Sequence, residues 1–322
     1  MNIQNSDTKE FQSINTAYNS LFRTNRLSIG LVAPLESYPN GPVPIMDDHL
    51  ERIQLAETLG FSAVWLRDIP FNVPSFGDAG QMYDPFVYLG YLAAHTQKIA
   101  LGTGSIILPL RHPAHIAKSA ASVDALSGGR LILGVASGDR PQEYPAMGIT
   151  FESRGERFRE SFEYISQAWR DTPMFENEFG SPYGGMDMLP KPLSGKVPML
   201  ITGASQQSPD WLARHGDGWI TYPRRPELQA KIINGWRSKV KEIGGQDKPV
   251  SQSLYIDLVA DQDAGPDPIH LGFRSGTRYL REHLKSLEAI GVNHVVLNLR
   301  FNQADIEITL KRLAEEILPD FT

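Results

Sequence analysis

Eight short apolar runs rich in β-branched residues are spaced along this chain, and a helical pattern follows each one. They are Leu27–Ala33, Ala63–Leu66, Ile99–Leu108, Leu131–Ala136, Val197–Thr202, Gly218–Tyr222, Leu254–Ala260 and His294–Leu299. Strands alternating with helices build a parallel sheet through right-handed crossovers. Eight such units predict closure into an α/β (β/α)8 TIM barrel, whose working residues sit at the C-terminal ends of the strands. An open doubly wound sheet is the competing architecture, but no Gly-x-Gly-x-x-Gly follows the first run. Several helix starts are signed: Asp84-Pro85, His112-Pro113 and Ser208-Pro209 pair a capping residue with proline, and Ser153 with Glu156 has capping-box spacing.

Residues 1–26 read as a polar N-terminal arm, and residues 27–322 as a single barrel domain. Two stretches break the rhythm, Asp171–Lys196 and Asp261–Gly276, both rich in Gly or Pro. Long aperiodic loops are commonly functional, which predicts lids near the mouth, or a β-hairpin decoration for the first. Within the third run, Gly102 and Gly104 alternate, so they face one side of a strand and mark close approach by a ligand or another part of the chain. The fourth run ends in Ala136-Ser137-Gly138-Asp139, again leaving room for something flat.

Composition removes whole classes of function. The 322 residues include no cysteine, which excludes disulfides, thiolate nucleophiles and thiolate metal sites. A net charge of −6 without a basic stripe argues against nucleic acid as partner. The N-terminus has no apolar segment of signal-peptide type, and no apolar run reaches the roughly 18 residues of a membrane span, so a cytoplasmic protein is expected. His112 and His115 are three apart, but no further ligand pattern accompanies them, and no metal site is expected. Gly134-Val-Ala-Ser-Gly138 departs from the nucleophile-elbow spacing, and Ser137 has no evident base.

Polar residues at the predicted strand ends are the better candidates. These are Arg67 and Asp68, Asp139 and Arg140, Tyr222 and Arg224, and Asn298 and Arg300. Asp68, Tyr222 and Asn298 are expected to do the polar work on a substrate. After the fifth run, Thr202-Gly203-Ala204-Ser205-Gln206-Gln207-Ser208 is a small-residue turn leading into a helix, an arrangement that suits an anion or equally a plain helix cap. Arg154 could supply a guanidinium to the same anion, or be an ordinary surface arginine.

These residues together resemble the bacterial luciferase-like flavin monooxygenases. The resemblance runs from Ile29-Gly-Leu31 to Ile317-Leu-Pro319. Its motifs are Glu57-Thr-Leu-Gly-Phe-Ser-Ala-Val-Trp-Leu-Arg-Asp68, Leu101-Gly-Thr-Gly-Ser-Ile-Ile-Leu-Pro109, Arg111-His-Pro113 and Leu126-Ser-Gly-Gly-Arg-Leu-Ile-Leu-Gly134. The resemblance implies FMN, or a deazaflavin, lying across the barrel mouth. It implies a non-prolyl cis peptide at Gly104-Ser105 under the ring. It further implies flavin contacts from Ala136, Ser137, Gly138 and Asp139, and a phosphate site from Arg154, Ser205 and Ser208, with Gly203 and Ala204 in the same cofactor-binding turn. Where many relatives have a histidine after the second strand, this chain has Ile69, which cannot transfer a proton.

The expected activity is therefore that of a two-component monooxygenase. It would take reduced FMN from a separate flavin reductase and use O2 on a small organic substrate. A deazaflavin-dependent hydride-transfer enzyme is the alternative on the same fold, and a non-catalytic flavin-binding paralogue is a third reading. The weakly charged helices over Pro85–His95 and Ala114–Leu126, with Lys118 and Asp124 as the latter's exposed charges, predict a homodimer.

Overall fold

The computed structural model describes residues 10–321. Eight strands form the barrel: Ser28–Val32, Ala63–Leu66, Ala100–Thr103, Leu131–Ala136, Met199–Thr202, Gly218–Thr221, Val250–Leu258 and His294–Asn298. All pair in parallel in chain order, and the eighth closes the ring by pairing with both the first and the seventh. The (β/α)8 barrel expected from the eight runs is thus the observed fold. The third strand stops at Thr103 and resumes as Ile106–Ile107, paired to the fourth. The seventh begins at Val250, ahead of its apolar run, because Ser251, Gln252 and Ser253 dilute the hydropathy without breaking the ladder.

Period-two alternation divides the residues of each strand. Val32, Ala63, Trp65, Ala100, Ile132, Leu200, Ile220 and Val296 pack inside the ring, while Leu31, Val64, Leu101, Leu133, Ile201, Val295 and Leu297 face the helices. The interior is closed from below by a helix at Thr16–Leu21, whose Ala17, Tyr18 and Leu21 join the same cluster together with Ile14 and Phe22. The described part of the supposed polar arm is therefore the barrel floor; residues 1–9 lie outside the described residues. Asn15 caps this helix and donates to Asp124 Oδ1 at 3.0 Å and Leu131 O at 2.8 Å. Asp124, expected on an exposed face, is fully buried by that contact and by the Leu193 N–H.

Three of the signed helix starts behave as predicted. Asp84 accepts from the Phe86 and Val87 N–H groups, His112 Nδ1 from Ala114, and Ser208 Oγ from Trp211. Ser153 does not cap. A 3-10 turn at Phe151–Ser153 already gives it helical dihedrals, and its hydroxyl donates to Thr150 O at 2.7 Å.

The two long loops part company. Asp261–Gly276 folds as a hairpin of residues 267–269 and 272–275, laid alongside the C-terminal half of the seventh strand. Asp171–Lys196 has only an isolated bridge, Asn177–Gly180, and straps the outer wall instead of covering the mouth. His112 contacts Phe179 O, Lys118 donates to Leu189 O, and the Leu193 N–H reaches Asp124, so the strap runs along the helix Pro113–Ser127. On the neighbouring helix, Pro85–His95, Val87 and Tyr91 remain exposed.

One polar chain crosses the lower interior. Trp65 Nε1 donates to His294 Nε2 at 2.9 Å, which leaves the imidazole proton on Nδ1 to meet Ser28 Oγ at 2.7 Å. Ser28 Oγ in turn donates to Leu21 O at 2.9 Å and ties the floor helix to the barrel. His294 is fully buried, and desolvation pushes its pKa down to about 3. An unfolded histidine titrates near 6.5, so the neutral folded form contributes stability above that pH, and the contribution falls away as pH drops toward 3. His294→Gln keeps hydrogen-bonding capacity without the titration. Between pH 6.5 and 4.5, urea unfolding should show the native chain losing about 2 kcal/mol more than the variant. Equal losses would remove His294 from the acid response.

Candidate active site

The same alternation that sends Trp65 inward aims Arg67 at the mouth and turns Asp68 outward. Asp68 is 4% exposed; it receives Arg111 Nε at 3.0 Å and Nη2 at 2.8 Å, and the Ile107 N–H at 3.1 Å. Arg111 also pairs with Asp84 at 2.8 Å. Both Asp68 oxygens are thus committed to holding the resumed third strand and the start of the next helix.

Around the mouth, arginines expected singly converge on one acid absent from the candidates read in the sequence. Asp78 Oδ2 takes Arg67 Nη1 at 2.8 Å and Arg300 Nη1 at 3.0 Å, while Oδ1 accepts from the Gly80 N–H at 2.9 Å and Tyr38 OH at 3.3 Å. Arg140 Nη2 donates to the Asp78 carbonyl at 2.8 Å and its guanidinium lies over the Phe76 ring. Burial alone would raise the Asp78 carboxyl, but Arg67, the Gly80 N–H and Arg300 hold it below the ordinary range. The group pins the loop after the second strand across the barrel end. The only sequence signal for Asp78 was its place in Gly77-Asp78-Ala79-Gly80, a turn pattern with no chemistry of its own.

The glycines of the third strand do different jobs. A Cβ on Gly102 would lie 2.5 Å from the Trp65 indole, so Gly102 exists to admit that side chain. A Cβ on Gly104 would meet only Trp65 Cε3, at 3.7 Å, which leaves its inward face open at the mouth. The Gly104–Ser105 peptide is cis, as the resemblance implies. Ser105 Oγ is 2.5 Å from Thr202 Oγ1, and Ser205 Oγ donates to Thr202 O at 2.8 Å, linking the opening at Gly104 to the small-residue turn.

That turn is a nest of left-handed residues: Gly203, Ser205 and Gln206 have φ of +56°, +44° and +60°. Successive N–H groups in such a turn converge on an anion. Among the described residues the Ala204, Ser205 and Gln206 N–H groups have no acceptor within the chain. Gln207, which the sequence did not single out, clips the turn to the first turn of the helix Arg154–Ala168. It donates to Gly155 O at 2.7 Å and accepts from Arg159. Arg154 therefore starts the helix that abuts the nest. Its guanidinium lies 3.7 Å from the Phe151 ring centroid, Nη1 donates to Phe151 O at 3.0 Å, and Nε is buried without a partner. Ser208 Oγ accepts the helix-cap hydrogen bond from the Trp211 N–H, which leaves its own hydroxyl proton to donate.

On the remaining arc, Tyr222 borders Gly203, and the nearby Asp139 adds to the burial that raises its phenol. Gly138 turns with φ +76°, where a Cβ would sit 2.7 Å from Tyr144 OH, and that hydroxyl donates to Ser137 O. Asn298 Oδ1 accepts from the Arg300 N–H at 3.0 Å and shapes the eighth strand's exit. Arg224 is turned away, donating to Thr221 Oγ1 and the Tyr222 carbonyl at 2.9 Å each. An open groove of about 600 Å3 lies elsewhere, between the 267–275 hairpin and the helix Thr277–Ala289. The outward-facing Leu254 is among its lining residues and none of the inward strand ends is, so the groove is not part of the strand-end site.

The geometry defines a (β/α)8 barrel mouth with an anion nest beside an open glycine step. Residues 27–264 match the model of the luciferase-like monooxygenases, and the chain belongs to that family. It is 27% identical over 224 residues to the oxygenase component of the flavin-dependent trigonelline monooxygenase of Acinetobacter baylyi, covering 68% of this chain and 61% of that one. It is 30% identical over 217 residues to the F420-dependent glucose-6-phosphate dehydrogenase of Kineococcus radiotolerans, covering 65% and 62% respectively. Monooxygenase RslO1 from Streptomyces bottropensis shares the fold with a TM-score of 0.76 at 20% identity, over 92% of this chain and 100% of that chain. Members of the family thus include flavin monooxygenases and F420-dependent oxidoreductases. No helix among the described residues is long and apolar enough to cross a membrane.

The two glycines should separate in stability measurements. Gly102→Ala forces a methyl into the Trp65 ring and should cost about 1–3 kcal/mol, as overpacked cores do. Gly104→Ala makes an ordinary contact and should unfold within about 0.5 kcal/mol of the native chain. Denaturant unfolding of the pair decides it, and equal losses would contradict the packing.

Proposed function

We propose that this chain is the oxygenase component of a two-component flavin monooxygenase, with reduced FMN as its cofactor, a separate reductase and a small organic substrate. The observation that carries the reading is the unbroken run from the open face of Gly104, through Ser105 and Thr202, to the N–H nest at Ala204–Gln206 beside Arg154. A flat ring ending in a phosphate needs an open step and an anion site joined in this way. Gly104 and Ser105 would support the ring, with Ala136, Ser137, Gly138 and Asp139 along one edge. Gly203, Ala204, Ser205, Ser208 and Arg154 would hold the phosphate, and the partnerless Arg154 Nε is suited to that use. When bound, reduced flavin supplies the two electrons with which oxygen is activated.

The chain's own residues supply the surroundings. Arg67 and Arg300, held by Asp78, place positive charge over the mouth and favour anionic character in whatever lies beneath. The pinned 69–84 loop excludes water. Tyr222, with its raised phenol, stays protonated at neutral pH and can donate a hydrogen bond to substrate. Asn298 is a second donor facing the mouth, whereas Asp68 acts by positioning Arg111. The exposed Val87 and Tyr91 support self-association as a dimer, for which a monomeric mass by light scattering at micromolar concentration would count against the reading.

Equilibrium binding of FMN, riboflavin and F420, followed by oxygen uptake with a flavin reductase, tests the proposal. Arg154→Ala should weaken FMN by about 1.5–3 kcal/mol, the range for a charge-assisted hydrogen bond, and leave riboflavin nearly unchanged. Gly104→Val should remain folded and lose FMN and riboflavin alike. Binding of F420 in preference to FMN, with no oxygen uptake, would replace the monooxygenase by the deazaflavin-dependent enzyme.

A further inference from the structure

One buried acid at the mouth is used by none of this. Glu143 opens a short helix, Glu143–Ala146, in the loop that follows the fourth strand, and it is 1% exposed. Neither carboxyl oxygen has a hydrogen-bond partner among the described residues, and the neighbouring Arg140 has a buried Nη1 that is likewise unpartnered. Buried polar groups are almost always paired, so two orphans of opposite character on one loop mark a place where the pairing changes during function.

The surroundings narrow what Glu143 does. Facing it from the second strand's end is Asp68, locked to Arg111; from the loop above comes the Phe71 backbone; from its own loop come Asp139, Arg140 and Tyr144, and Arg140 is in turn held by the carbonyl of Asp78, itself locked to Arg67 and Arg300. Burial pushes the Glu143 carboxyl up to about 7; Arg140 opposes this, and Asp68 and Asp139 add to it. Of the other groups near this loop, Asp68 and Asp78 are ion-paired, Asp139 is exposed, Tyr222 keeps its phenol proton for the substrate side, His294 lies in the lower barrel, and position 69 is isoleucine.

We propose that Glu143 is the proton donor of this site, holding its proton beneath the 69–84 loop and leaving a carboxylate to which Arg140 Nη1 donates. The inference rests on the flavin reading for its electron source. A reduced flavin bound here would supply two electrons to oxygen, and the negative charge so developed would call for one proton from the protein. One O–H bond breaks at Glu143 Oε and one forms on the oxygen acceptor. The new carboxylate pairs with Arg140, and water returns the proton before the next cycle. The pairing that is missing in the protonated form is completed in the ionised one.

Two measurements on the full-length chain test this. Infrared difference spectra of the native protein against Glu143→Gln should show one buried carboxylic acid absorption present at pH 6 and gone by about pH 8; Glu143→Asp should keep it. Stopped-flow reoxidation by oxygen of photoreduced FMN bound to the protein should bend near pH 7 in the native chain. Glu143→Gln should be slower by about a hundredfold, the usual weight of a general acid, and should lose the bend, while Glu143→Asp restores it. Glu143 already ionised at pH 6, or a bend unchanged in Glu143→Gln, overturns the assignment. Failure of the native chain to bind FMN overturns the FMN reading instead, and the infrared result still decides the state of Glu143.

Discussion

The indole of Trp65 against the bare backbone of Gly102 sets the level at which this barrel is filled. The ring of strands is closed, so whatever occupies its interior decides where a ligand can lie. Trp65 fills the middle and is fixed from below by His294, Ser28 and the floor helix. One step further up the same strand face, a Cβ on Gly104 would meet the edge of that indole and no other residue within 4 Å beyond its chain neighbours. The floor of the candidate site is therefore made by the barrel core itself, and it inherits the rigidity of a packed interior.

What lies over that floor is held by charge. Asp78 gathers Arg67, Arg300 and, through its carbonyl, Arg140, each from the end of a different strand. Taking such groups out of water costs several kcal/mol per ion before their attraction is counted, so the cluster is poor evidence of stability. Its geometric effect is clearer. Arg300 also donates to the Gly41 and Gly77 carbonyls, at 3.0 Å and 2.6 Å, so the loops after the first two strands are tied at one point. Loops on a barrel rim vary freely unless something fixes them, and here an acid from the second loop does so.

The eight strands, their order and the end that carries polar residues were legible because hydropathy and period-two alternation are local properties. The glycine pair was legible as a position of close approach, but not its two meanings. Whether a missing Cβ admits Trp65 or a ligand depends on which neighbour faces it across the sheet. The same limit explains Asp68. Counting outward from Trp65 places it on the helix side, yet its partner Arg111 is fixed only once the third strand resumes at Ile106. Asp78 and Gln207 were silent because their importance lies wholly in distant partners. The strap over residues 171–196 looked like a lid because aperiodic loops look alike, and only the burial of Asp124 by Leu193 and Asn15 shows that it belongs to the wall.

Three carboxyl groups near the mouth show how far residue type falls short of role. Asp68 is met by a bidentate arginine and a backbone N–H, Asp78 by two arginines and a backbone N–H, and Glu143 by no hydrogen bond at all. The first two are ion-paired anchors, and removing either would leave guanidinium groups without their partner. The third is the opposite case. Burial favours its acid form, the nearby negative charges of Asp68 and Asp139 press the same way, and Arg140 and the Phe71 backbone only partly oppose them. Acids whose environments drive their ionisation apart can divide structural and proton-carrying work on one surface. In this chain the division follows from which strand end each loop leaves: loops reached by an arginine hold their acid as an anchor, and the loop whose arginine is drawn off to the Asp78 carbonyl leaves its acid free to exchange a proton.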